Sequence, residues 1–256
     1  MMKMISIVAG VLLFAAATAQ AQQAAQAPGV VQLFLCKLND GKSAANVWDL
    51  LETLASQITD RQPGFALFLW TPMRGYTEYD YVWGATATDL AEMATGLQGY
   101  MDSGSAAVMG PRFQDVNERC DSTVAMAEEV KAGSIGNTGD RVPDAVVETF
   151  ACSINQGSSM ADVDAAVDFW KAQIPGIGSD ALAKYEATLL TPFRGSNGMV
   201  DFAWIGASPD LATWAKGSMD YYGSKGGQAA DARFEKVSSC RNSLWTGYWI
   251  VPPMAQ

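Results

Sequence analysis

The chain repeats itself. "LFLCKLNDGKSAANVWDLL", Leu33–Leu51, returns as "TFACSINQGSSMADVDAAV", Thr149–Val167. "TPMRG", Thr71–Gly75, returns as "TPFRG", Thr191–Gly195. "VWGATATDLA" from Val82 returns as "AWIGASPDLA" from Ala203, and "RFQDV" from Arg112 as "RFEKV" from Arg233. The matches keep their order, which chance similarity does not produce. A duplicated chain folds as two copies of one unit, and each copy buries its apolar faces alone or against its twin. The first copy covers 29–122 and the second 146–256, which ends in "SLWTGYWIVPP", a candidate extra strand. Residues 123–145 between them, charged and Gly-rich without a sustained apolar period, read as a linker.

Each copy has the same internal rhythm. "VVQLFLCKL" and "VVETFACSI" are rich in β-branched and aromatic residues and predict strands. Ser43 and Ser159 follow turns and read as helix N-caps, with Asp162 placed to complete a capping box. Val47, Leu50, Leu51 and Leu54 then recur at helical period, matched by Val163, Ala166, Val167 and Trp170. Two strands follow, joined through TP-x-RG. A second helix carries a stripe of Leu90, Met93, Ala94, Leu97 and Met101, and a last strand begins near Arg112 or Arg233.

The order is βαββαβ, twice: the split βαβ unit of ferredoxin-like folds. Its antiparallel sheet carries helices on one face, so the other face needs cover. The arrangement resembles the dimeric α+β barrel superfamily, here as a fused tandem forming a pseudo-dimer within one chain. The C-x-L-x-x-G start at Cys36, the TP-x-RG hairpin and the W-x-G strand are also similar to those of exported bacterial proteins of this architecture. The resemblance implies an α+β fold of two repeats packed sheet to sheet as a barrel. It does not imply one activity, because such folds host many.

The N-terminus carries Lys3, an apolar run from Ile5 to Ala17 and the small-x-small site Ala19-Gln20-Ala21. That pattern predicts a signal peptide over 1–21, and a periplasmic or secreted protein with no membrane anchor. Cleavage removes Lys3 and takes the formal net charge from −10 to −11. An acidic surface argues against a nucleic-acid partner. The chain has no histidine. Ser-His-Asp and Cys-His catalysis, His-bound zinc and His-ligated haem are thereby excluded, and no cofactor or metal is expected.

Four cysteines allow three pairings. The repeat favours Cys36 with Cys120 and Cys152 with Cys240. In a βαββαβ sheet the last strand lies beside the first, within disulfide reach.

Several residues stand out as site candidates. Pro72, Gly75, Pro192 and Gly195 are explained by a turn, but Arg74 and Arg194 are not. Each guanidinium either grips a carboxylate or phosphate ligand or fixes the turn, with Asp80 and Asp201 as nearby partners. Trp83 and Trp204 share a strand face with Tyr81 and Phe202 and belong to a core or a pocket wall. Glu186 and Lys37 sit in apolar strands without a charged twin in the other copy. Such asymmetry makes the two halves chemically unequal.

Two functions follow. One is a binding or scaffold domain for a small molecule or protein. The other, implied by the resemblance, is a cofactor-independent oxygenase acting on an aromatic substrate in the barrel cleft, where Trp, Tyr, Asn and Arg would orient a substrate and stabilise its anion.

Overall fold

The computed structural model describes residues 29–58, 64–75, 78–136, 141–195 and 200–253. The expected signal peptide lies outside them. Among the described residues no helix is long and apolar enough to cross a membrane.

The first half runs β1 (Gly29–Leu38), α1 (Ala44–Ser56), β2 (Ala66–Gly75), β3 (Tyr81–Ala87), α2 (Leu90–Asp102), α3 (Ser105–Val116) and β4 (Asn117–Lys131). The second runs β5 (Ala145–Ile154), α4 (Met160–Ile177), α5 (Asp180–Lys184), β6 (Glu186–Arg194), β7 (Phe202–Ser208), α6 (Leu211–Gly223), α7 (Lys225–Val237) and β8 (Ser238–Val251). The caps fall where the sequence places them. Ser159 donates its backbone N–H to Asp162 Oδ2 at 2.8 Å, and Ser43 donates likewise to Asn46 Oδ1 at 3.0 Å. Asp89 and Asp210 cap α2 and α6 by accepting from Glu92 N and Thr213 N.

The eight strands close into one antiparallel barrel in the order β1-β3-β2-β8-β5-β7-β6-β4. Within each half the last strand lies beside the first. The halves join where β2 pairs with β8 and β4 pairs with β6. Closure removes every free sheet edge. It also divides the apolar interior into three. Val31, Phe68, Val82, Val147, Leu190 and Trp245 fill the barrel. Val47, Leu51, Leu69 and Tyr81 pack between sheet and helices in the first half, and Val163, Val167, Leu189 and Phe202 do so in the second. Period-two alternation makes this possible, since alternate residues of one strand serve the barrel and the helices in turn.

The structure corrects several sequence expectations. Arg112 and Arg233 do not begin a strand; they lie in α3 and α7. Each half therefore carries two consecutive helices before its last strand. Because α3 covers the sheet through Met109 and Val116, α2 is displaced outward, and its stripe residues Leu90, Leu97 and Met101 are about half exposed. The strand β4 continues to Lys131, so 123–131 of the expected linker is strand, paired to both β1 and β6. The C-terminal "SLWTGYWIV" is no extra strand but the continuation of β8. Both extensions exist because the last strand of each half must reach across and pair with the other half.

Cys36 and Cys120 face each other in the β1–β4 register, and Cys152 and Cys240 in the β5–β8 register. Both pairs are disulfides, with Cα atoms 4.1 and 4.0 Å apart.

Candidate functional site

The repeated TP-x-RG phrase lies on the two seams. Pro72 and Pro192 cannot donate to a ladder, and the register slips by one residue between Pro72 and Arg74 and again opposite Pro192 and Arg194. Gly75 and Gly195 have φ of 105° and 78°. A Cβ at Gly195 would fall 2.2 Å from Ser122 O, and one at Gly75 would fall 2.7 Å from Asn242 O. The glycine is required because the partner half's backbone passes there. Arg74 and Arg194 are exposed. Asp80 and Asp201 do not meet them. Asp80 Oδ2 accepts from Leu38 N and Asp201 Oδ2 from Ile154 N, at 2.8 and 2.7 Å. These carboxylates satisfy the end of the first strand in each half.

Trp83 and Trp204 face the helices, not the barrel. Their surroundings differ. Trp83 stacks on Phe34 at 4.1 Å and on Phe113 at 5.4 Å, in a packed core. Trp204 instead borders a cavity of about 470 Å³ between the second half's sheet and its helices. That volume is ordinary for a small-molecule site.

The sheet forms the floor. Glu148 and Phe150 on β5 alternate with residues that serve the barrel, so they point to the helices. Glu148 lies opposite Gly206 on β7. Tyr185, which ends α5, reaches across this spot and accepts a hydrogen bond from Trp204 Nε1 at 3.1 Å. A Cβ at Gly206 would fall 1.8 Å from the Tyr185 oxygen, so the phenol fits only over a glycine. Trp170 of α4 closes one end, 4.9 Å from Trp204 between ring centroids. From α6 come Trp214, Tyr221 and Tyr222, and from α7 Asp231, Phe234 and Glu235.

Burial pushes the Glu148 carboxyl above its ordinary range, and the Asp231 charge adds to this, against a long 3.5 Å contact from Trp214 Nε1. Asp231 is raised by burial and by Glu235, although Tyr221 OH donates to it at 2.8 Å. Tyr185 is raised by burial and by the Glu148 charge, so its phenol stays neutral. The cavity lining thus carries three carboxyl groups and no lysine or arginine.

Of the residues singled out in the sequence, Trp204, its strand neighbour Phe202 and the disulfide cysteines Cys152 and Cys240 line this cavity, whereas Arg74, Arg194, Asp80, Asp201 and Trp83 do not. Glu186 begins β6 outside it, raised by burial and by Glu129, with Lys131 opposing. Lys131 spends its ammonium on the carbonyls of Ala183 and Tyr185. Lys37 lies near the end of β1, opposite Arg119. Glu148, Tyr185, Trp214 and Asp231 belong to no local motif that marks them as site residues, and Trp214 reads only as part of a helix stripe. The repeat held the signal: at the matching positions the first copy has Gln32, Phe65, Met93 and Gly110.

A second, smaller space of about 200 Å³ opens within the barrel, bordered by Trp70, Tyr79, Arg241 and Trp245.

No protein-family model and no curated protein matches the sequence. Solved structures do. A candidate monooxygenase from Lactobacillus acidophilus NCFM superposes with a TM-score of 0.57 at 7% identity, over 88% of this chain and 99% of that chain. A dye-decolorizing peroxidase from Bacteroides thetaiotaomicron VPI-5482 gives 0.53 at 12%, over 88% and 94%. A heme-binding protein from Thermus thermophilus gives 0.50 at 10%, over 86% and 91%. At such identities the likeness is one of fold.

The residues of the cavity do not fit a haem. The chain has no histidine, and all four cysteines are in disulfides. The Tyr185 hydroxyl is already engaged by Trp204 Nε1 at 3.1 Å and lies against the sheet over Gly206. Glu148, Asp231 and Glu235 would face propionates that need cations. What the comparisons and the closed barrel establish together is architecture: this chain has the dimeric α+β barrel fold, with both halves of the barrel in one polypeptide.

Proposed function

We propose that this protein is an exported small-molecule-binding protein whose ligand occupies the cavity between the sheet and helices of the second half. Export is supported by the N-terminal apolar run with its cleavage pattern and by two disulfides, which persist in oxidising compartments. The observation that carries the binding reading is the inequality of two duplicated halves. The first half makes the same fold with Gln32, Phe65, Met93 and Gly110. The fold therefore does not require Glu148, Tyr185, Trp214 and Asp231, two of which, Glu148 and Asp231, carry a desolvation penalty on their charged forms. Polar groups kept in a cavity at a cost to stability are a mark of a functional site.

The test is a fragment screen read from tryptophan indole N–H resonances. Fragments are expected to shift Trp170, Trp204 and Trp214 while leaving Trp83 unmoved. A Ser218→Phe variant, which fills the cavity from α6, should abolish those shifts while melting cooperatively. A screen that moves no cavity resonance defeats this reading and favours a scaffold.

The alternative, a cofactor-independent oxygenase using the barrel cleft, is supported by the tryptophans, Tyr79 and Arg241 around the smaller space. That space is below the range usual for small-molecule sites. Oxygen uptake with quinol substrates that disappears in an Arg241→Ala variant would move the function there.

A further inference from the structure

The cavity lining carries negative charge and aromatic faces together. Glu148 rises from the floor and Asp231 hangs from α7, and the lining holds no cationic side chain. Around them stand Trp204, Trp214, Tyr185 and Tyr221. Among the described residues neither carboxylate is fully satisfied: Glu148 has only the 3.5 Å indole contact there, and Asp231 uses one oxygen on Tyr221. A desolvated carboxylate with spare acceptor sites costs stability unless a cation arrives. Indole and phenol faces attract cations through their quadrupoles, most strongly where water is excluded. An anionic ligand would meet repulsion, and a purely apolar one would leave both carboxylates unpaired.

We infer that the ligand is an organic cation, an amine or quaternary ammonium on an apolar or aromatic body, with its charge between Glu148 and Asp231 and its body against the tryptophans. The inference rests on reading this cavity as a ligand site. The first half again serves as an internal contrast. Gln32 and Gly110 stand where Glu148 and Asp231 do, so the charge pattern is absent at the matching place. Tyr222, half exposed near the outer end of α6, marks a route from solvent.

Three probes that share one phenol ring separate the possibilities: tyramine (cation), tyrosol (neutral) and 4-hydroxyphenylacetate (anion). Each is titrated into the full mature chain, with heat and indole resonances recorded. Tyramine should bind about tenfold or more tighter than tyrosol, as expected for a charge-assisted contact, and the anion should produce no cavity shift. A Glu148→Gln variant should lose that preference and bind tyrosol as before. Asp231→Asn, which keeps an acceptor for Tyr221, should weaken tyramine in the same direction. If tyrosol or 4-hydroxyphenylacetate binds as tightly as tyramine, the cation inference is overturned while the cavity remains a ligand site. Silence from all three probes at millimolar concentration overturns it too, and the fragment screen then judges the cavity separately.

Discussion

The hydroxyl of Tyr185 lies where a side chain at Gly206 would begin: a Cβ there would fall 1.8 Å from the phenol oxygen. In the first half the matching residues are Phe65 and Ala85, a smaller ring end over a larger strand residue. The exchange has a visible consequence. Trp204 finds an acceptor in Tyr185, while Trp83 Nε1 is buried with no hydrogen-bond partner among the described residues. A Gly206→Ala variant should therefore lose about 1–3 kcal/mol by overpacking, and should disturb the cavity floor. In the first half, Phe65→Tyr alone should destabilise. Phe65→Tyr with Ala85→Gly should do better than either single change, because Trp83 gains an acceptor worth about 1 kcal/mol. Denaturant melts of the four proteins form the cycle. A purely additive cycle would refute the coupling.

Glu148 ties stability to pH. Its folded-state pKa is raised by burial, so the native state holds the proton more tightly than the unfolded chain. Such a group lowers stability as pH rises from its unfolded value through its folded one. Glu148→Gln should consequently melt a few degrees higher than the parent at neutral pH. The gain should shrink as pH falls toward the ordinary glutamate range, about 4.3. The opposite trend, a variant less stable at neutral pH, would show that the charge is paired.

The same titration should govern the cation. The groups that face the cavity are Glu148 from β5, Tyr185 beside β6, Tyr221 and Tyr222 from α6, and Asp231 and Glu235 from α7. Burial raises all three tyrosines, so they stay neutral near pH 7. Tyramine affinity should fall as acid neutralises Glu148 and Asp231, both raised, while tyrosol affinity stays level. Calorimetry across pH 4.5–8 reads both; parallel profiles for the two probes would remove the carboxylates from recognition.

The seams separate the glycines from the arginines. Gly195→Ala meets Ser122 O at 2.2 Å with φ at 78° and should destabilise markedly, by more than about 1 kcal/mol. Arg74→Ala and Arg194→Ala, at exposed positions, should change stability by less than about 0.5 kcal/mol and leave tyramine binding intact. Thermal melts with a tyramine titration decide this, and weakened binding in either arginine variant would return the seam to the site.

Each disulfide ties the first strand of a half to its last, and those last strands also form the seams. Replacing Cys36 and Cys120 together, or Cys152 and Cys240 together, by alanine should cost about 2–4 kcal/mol. Loss in one pair should loosen barrel closure on its seam first, visible as faster amide exchange along β4 or β8.

The duplication, the first strand and helix of each half, the caps and the cysteine pairing are all legible in the chain before it folds, whereas the helix that precedes each last strand, around Arg112 and Arg233, reads there as strand. They follow from local period, from turn chemistry and from the likeness of two copies, which are written in the order of residues. Pro72, Gly75, Pro192 and Gly195 are legible too as backbone requirements, although not that the requirement comes from the other half. Folding in three dimensions settles the rest: that β4 and β8 run on to close a barrel, that Trp83 and Trp204 face helices, and that the larger cavity opens in the second half. Closure depends on long-range pairing between the halves. The cavity depends on which side chains from β5, β7, α6 and α7 arrive at one place, and on one missing Cβ at Gly206 that lets Tyr185 lie across the sheet. Glu148 and Asp231 lie far apart in the chain, on β5 and α7, and nothing in local sequence brings two such carboxylates under the same helices.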